Sequence, residues 1–161
     1  MKLFTFTFLF SIFAQAKVTV AFIEMRNYYG QIIQLEQGGR FAHSAISYKG
    51  QWLQAHPLHG VELVPIEKIR KMGEIKEFVD VAGLEELDEA KVNAMLGKPF
   101  DNDYSWDDDK IYCSELIGKL LGLSPLPMVF SDAWPKHYQD MNGQPGLSPD
   151  GVYRILQTVN H

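Results

Sequence analysis

The chain has a single cysteine, Cys113, among its 161 residues. An internal disulfide is therefore excluded, and so is a metal centre built on paired thiolates. No basic run exceeds two residues and the formal net charge is −5. Nucleic acid is not an expected partner, and tight electrostatic binding to an anionic membrane is not expected either. Long apolar runs are also missing. The most hydrophobic stretch, Leu3 to Phe13, is broken by Thr5, Thr7 and Ser11; its length of about eleven residues falls short of the roughly 20 that a spanning helix needs. No repeat, low-complexity tract or linker rich in Gly, Pro or Ser divides the chain, so one domain is expected.

What is present at the amino terminus reads as an address. Met1-Lys2 is a short positive region, Leu3 to Phe13 an apolar one, and Ala14-Gln15-Ala16 a small-x-small cleavage pattern. Residues 1–16 are expected to be a secretory signal, leaving a mature domain of residues 17–161 with no stable transmembrane anchor. An unpaired cysteine in a secreted chain is either a buried apolar filler or a thiol kept for chemistry. Cys113 lies in Ile111-Tyr112-Cys113-Ser114-Glu115-Leu116-Ile117, where a helix is expected to start. The helix dipole and the unpaired N–H groups of a first turn favour thiolate, the nucleophilic form, so a reactive thiol is expected there.

The patterning is that of an α+β domain. Strands are expected at Gly30 to Gln37, Phe41 to Tyr48, Gln51 to Ala55, Glu74 to Val81 and Val152 to Leu156, with Lys49-Gly50 as a hairpin turn. Helices are expected over Pro65 to Met72, over Asp88 to Leu96 with Asp88 as cap, and from Cys113 to a stop at Gly122. Residues 98–110 read as an aromatic and acidic loop. Its aspartates, Asp101, Asp103 and Asp107 to Asp109, lack the glycine and distal glutamate of a calcium loop, so a solvated acidic face with a helix cap is expected and no metal or other cofactor.

A cysteine nucleophile needs a base, and the base needs a group that orients it. Of His43, His56, His59, His137 and His161, only His43 is expected on a rigid strand; the others fall in loops or at the terminus. The order Gly39-Arg40-Phe41-Ala42-His43, a hairpin strand ending at Ala55, then Gly60-Val61 and a later Tyr112-Cys113-Ser114-Glu115-Leu116 resembles the circularly permuted papain-like cysteine hydrolases. The branch in view is the YiiX/YebB-like group, relatives of the NlpC-type cell-wall peptidases. Gly97-Lys98-Pro99-Phe100, Tyr104 and the Ser148-Pro149-Asp150 turn add to the likeness, which spans Gly30 to Gly122 and that turn.

The resemblance implies an antiparallel sheet with partial-barrel character packed on the nucleophile helix. It implies Cys113 as nucleophile, His43 as general base and a periplasmic or secreted bacterial enzyme. The family's third polar residue, often Glu, falls on Gln54 in Leu53-Gln54-Ala55, with His56 as the alternative. A neutral amide can orient an imidazole but cannot stabilise its charge. Gly30-Gln31 likewise stands where the family often has Gly-Asp. The backbone N–H of Cys113 is the expected oxyanion donor, with Tyr104 or Tyr112 as candidate side-chain donors or substrate contacts. The expected reaction is amide hydrolysis of a cell-wall peptide through a thioacyl intermediate. Two alternatives stay open: an acyl-lipid ester, amide or thioester as substrate, with Leu126, Met128, Val129 and Phe130 as a groove, and an inactive binding domain.

Overall fold

Val20 to Ile23 form an unbroken apolar run, as in a strand covered on both faces. The computed structural model describes residues 17–159 and places that run in β1 (Thr19–Glu24), a strand not among those expected from the sequence. The expected signal segment, residues 1–16, lies outside the described residues, as does His161. Four further strands build a sheet on β1: β2 (His43–Tyr48), β3 (Gln51–His56), β4 (Gly60–Val64) and β5 (Glu74–Asp80). The order is β4-β3-β2-β1-β5 and every neighbouring pair is antiparallel.

The helices cover the two faces unequally. On one face lie α2 (Glu89–Met95), α3 (Cys113–Leu121) and α5 (Pro149–Val159), whose Val92, Leu116, Ile117, Leu120, Val152 and Leu156 close the main core over Val20, Phe22, Ile46 and Leu53. Burying side chains of that size contributes roughly 1.5–3 kcal/mol each. The short helix α1 (Ile66–Arg70) covers the other face, where Ile69 meets Ala21, Ile23, Ala45 and Val64. A third cluster centres on Leu35, Met128 and Phe130. It gathers Tyr104, Trp134 and Tyr138 beneath a two-stranded ribbon, β6 (Leu126–Pro127) and β7 (Pro145–Gly146), and helix α4 (Lys136–Gln139). No helix among the described residues is long and apolar enough to cross a membrane.

Two expected strands are corrected. Val152 to Leu156 is the middle of helix α5. Ser148 Oγ accepts the Gly151 N–H at 2.8 Å and Pro149 is the first helical residue, so a cap and a pre-set φ start a helix where the apolar residues had suggested a strand. Gly30 to Gln37 is a loop pinned by two isolated bridges, Arg26↔Ile32 and Glu36↔Phe130. Asn27 Oδ1 accepts from the backbone of both Tyr29 and Gln31, so a side-chain-built turn diverts the chain before a ladder can form. The hairpin at Lys49-Gly50 is as expected, both residues at positive φ.

Candidate active site

His43 is the first residue of β2, and what precedes it is fixed from far along the chain. Asp150, near the start of α5, accepts the Arg40 N–H at 2.8 Å and the Phe41 N–H at 3.1 Å. Gly39 makes this approach possible: a Cβ there would lie 2.6 Å from Asp150 Oδ2 and 2.9 Å from the Glu36 side chain. Glu36 in turn accepts from Ser148 Oγ and pairs with Arg154 at 2.5 Å. The Ser148-Pro149-Asp150 turn thus serves as the anchor for the strand that carries the histidine.

From His43 a row of polar groups crosses three strands. His43 Nε2 lies 2.9 Å from Gln54 Oε1 on β3, and Gln54 Nε2 donates to Glu62 Oε1 on β4 at 2.8 Å. Gln54 and Glu62 are direct cross-strand partners, which explains their contact. The row also fixes a tautomer. Glu62 takes the amide's NH₂ end, so the oxygen faces His43 and can only accept. The hydrogen is therefore on His43 Nε2, and the neutral ring keeps its lone pair on Nδ1. His43 is buried, and burial holds its pKa down at about 4 although the Gln54 bond pulls it up. A buried imidazole of this kind is neutral at any physiological pH. Glu62 was not singled out in the sequence; its place opposite Gln54 is visible only once the β3–β4 register is known.

Cys113 opens α3 after Tyr112, whose N–H is accepted by Glu115 Oε2 at 3.2 Å. The Ser44 amide, one residue along from His43, is near enough to the Cys113 sulfur to pull the thiol's pKa down. The hairpin geometry says why that amide is available. In a two-residue hairpin the flanking pair, Tyr48 and Gln51, exchange both hydrogen bonds, so the amides of Tyr48, Ile46 and Ser44 point toward β3. The β2–β3 pairing runs from Tyr48↔Gln51 to Ile46↔Leu53, and beyond it the Ser44 amide lies near the sulfur. The thiol therefore sits at the end of the β2–β3 ladder, on the strand segment that starts with His43. The Ser44 hydroxyl, buried and with no hydrogen-bond partner among the described residues, lies near the same sulfur.

The expected resting thiolate is corrected. Burial pushes the Cys113 thiol up, and it outweighs the Ser44 and Ser114 hydrogen bonds that pull it down. Desolvation of a charge exceeds what a helix terminus returns. Asp101 is corrected too: it is buried, and accepts from Asp103 N, Ser105 N and Ser105 Oγ, so it organises the loop from within. Asp103 and Asp107 to Asp109 are exposed as expected, with Lys119 pairing to Asp108 at 2.6 Å.

The other candidates are placed as follows. Tyr104, at φ 50°, joins a ring cluster with Tyr112, Phe130, Trp134 and Tyr138; burial and then the nearby Cys113 push its hydroxyl up. Tyr112 is fully buried and its hydroxyl accepts the Leu147 N–H at 3.0 Å. Of the residues considered as a lipid groove, Met128 and Phe130 are buried while Leu126 and Val129 are exposed. His56 Nδ1 accepts the Leu58 N–H at 3.1 Å, so that nitrogen is engaged in its own turn. His56 stacks on His59 with ring centroids 4.4 Å apart, and His59 Nδ1 lies 3.5 Å from Glu62 Oε2. The ligand atoms of His56, His59 and Glu62 all fall within 4.8 Å of one another. The spacing His56-x-x-His59-x-x-Glu62 is the sequence signal for this set.

No family model matches the chain, and no curated protein matches it in sequence. Among solved structures it is similar to yiiX of Escherichia coli O157:H7, a DUF1105 protein described as a metalloprotein. The two are 21% identical; the match covers 86% of this chain and 91% of that one, with a TM-score of 0.58. This α+β chain therefore has a YiiX-like fold, built on a five-stranded antiparallel sheet.

Proposed function

We propose that this protein is a secreted hydrolase of the circularly permuted papain-like type, cleaving an amide bond with Cys113 as nucleophile and His43 as general base. One observation carries the reading. Gln54 fixes the hydrogen on His43 Nε2 at 2.9 Å, and the Cys113 thiol, at the start of α3, is near enough to the very next residue, Ser44, for its amide to pull the thiol's pKa down. An imidazole with a defined free nitrogen on one strand segment with a helix-start thiol is the arrangement that nucleophilic cysteine chemistry needs.

Both groups rest neutral, so the proton moves as the bond forms. Sγ attacks the substrate carbonyl carbon while the thiol proton passes to His43 Nδ1. The oxyanion takes the Cys113 backbone N–H, and the unpartnered Ser44 hydroxyl is a second donor. Collapse expels the amine, which receives the proton from Nδ1. Water then gives a proton to Nδ1 and attacks the thioacyl carbon; release of the acid returns the thiol. Gln54 holds the ring through the cycle, as a neutral amide can.

A cell-wall peptide is the proposed substrate class. The test is exposure of purified wall peptides, and separately of acyl lipids, to the mature chain, with mass spectrometry of both. Wall-peptide cleavage that is lost in Cys113→Ser and His43→Ala, with both variants folded, is the expected result. Cleavage of acyl lipids alone would replace the substrate, and full activity in His43→Ala would overturn the base assignment.

A further inference from the structure

We infer that His56, His59 and Glu62 bind one divalent transition-metal ion of the zinc type, at the outer end of the polar row that begins at His43. Two imidazoles and a carboxylate are the donor set that suits zinc and its first-row neighbours, whereas calcium and magnesium prefer oxygen alone. In a tetrahedral site with bonds near 2.1 Å the donor atoms stand about 3.4 Å apart. His59 Nδ1 and Glu62 Oε2 are already at 3.5 Å, and all three donors fall within 4.8 Å, so modest side-chain rotation completes the set.

The local chain builds the geometry. His56 ends β3 and faces Gly60 at the start of β4, so a tight turn returns His59 and Glu62 to the same corner. The Leu58 N–H occupies His56 Nδ1 at 3.1 Å, which orients the ring and leaves Nε2 as the ligand atom. The His56 and His59 rings lie face to face, 18° from parallel, an arrangement that two imidazolium ions would oppose and one shared cation would favour. A cavity of about 200 Å³ adjoins the three donors and is also lined by Lys68 and Lys71. With one carboxylate against a doubly charged ion, and two lysines near, the fourth position suits an anion such as hydroxide or a substrate carboxylate.

Glu62 is shared. Its Oε2 faces the proposed ion while its Oε1 holds Gln54 at 2.8 Å, so the metal would fix the carboxylate that orients the amide that orients His43. The binding inference does not depend on Cys113 being a nucleophile.

The experiment is equilibrium dialysis of the untagged mature chain against Zn²⁺ and Co²⁺, with metal content by mass spectrometry and the visible spectrum of the Co²⁺ form. One ion per chain and intense d–d bands of a tetrahedral site are expected. His59→Ala and Glu62→Gln should weaken binding by at least about tenfold, a loss typical of a damaged metal site. Cys113→Ser should retain the ion. No stoichiometric metal, or metal held equally by His59→Ala and Glu62→Gln, or lost in Cys113→Ser, would overturn the assignment. Because His59 is exposed, its variant is expected to fold, which a melting curve without metal checks.

Discussion

Gln54 Nε2 donates to Glu62 Oε1 across the β3–β4 ladder, and this one bond decides which end of the amide His43 meets. Without it the amide could turn and present its NH₂ group, which would demand the opposite tautomer of the imidazole. A glutamate two strands away from His43 thereby sets the proton position on the imidazole. The family resemblance leads one to expect a carboxylate next to the histidine; here the carboxylate stands one residue further out and acts through Gln54.

The row predicts a graded loss of turnover. Gln54→Ala should lower kcat about 10–100-fold, the smaller part of what positioned acid–base groups contribute, with KM little changed. Glu62→Gln should cost less, since a second amide can still accept from Gln54. Steady-state kinetics on a cleaved wall peptide measures both. Equal losses in the two variants would mean that Glu62 does more than orient.

Burial of Cys113 predicts an ordinary or late thiol titration. The rate of iodoacetamide modification should rise only above the region of a free thiol, about pH 8.5, with no plateau between pH 5 and 7. The pH dependence is the readout, since low accessibility slows the reaction at every pH. A plateau at acidic pH would show that a resting thiolate–imidazolium pair survives desolvation.

His43 links stability to pH. Its pKa falls from 6.5 to about 4 on burial, so between those values the unfolded chain binds more protons than the folded one. The neutral ring's contribution is intact above pH 6.5 and is lost as pH falls toward 4. The loss amounts to about 3 kcal/mol at 1.36 kcal/mol per unit. Glu115, pushed up to about 7 by burial, acts with the opposite sign, since its folded form binds protons more readily. Urea melts of wild type and His43→Gln at pH 4.5 and 7 separate the two: the variant should lose less stability on acidification. Equal slopes would mean that His43 is hydrated in solution.

Much of this architecture was legible in the sequence because local signals agreed. The Lys49-Gly50 turn, the Asp88 cap and the Gly122 stop each have one physical cause within a few residues, and the elements they bound are in place. β1 escapes the sequence pattern because its apolar run, adjoining the expected signal segment, lacks the alternation of a half-exposed strand; it is covered on both faces. Helix α5 stands where a strand is expected because Val152, Ile155 and Leu156 suit either element; the Ser148 cap and the i, i+3, i+4 spacing decide for the helix. At the site, the types and order of Cys113, His43 and Gln54 could be seen. Glu62, Ser44 and Asp150 could not, because their roles depend on register and on a contact spanning more than a hundred residues.

That long contact gives the last prediction. Asp150 is buried with two backbone donors, Arg40 N–H and Phe41 N–H, and burial raises its carboxyl while those bonds lower it. Asp150→Ala removes both acceptors and leaves two amides facing a void, at a cost of about 2–4 kcal/mol. Asp150→Asn keeps one acceptor atom but turns an NH₂ group toward the other amide, so it should fall between wild type and Ala. Because these amides lead straight into His43, both variants should also lower kcat at temperatures where they remain folded, while Cys113 alkylation rates stay unchanged. Denaturant melts with activity measured on the same samples give the answer. A destabilised Asp150→Ala with wild-type kcat would show that β2 holds His43 in place without its anchor.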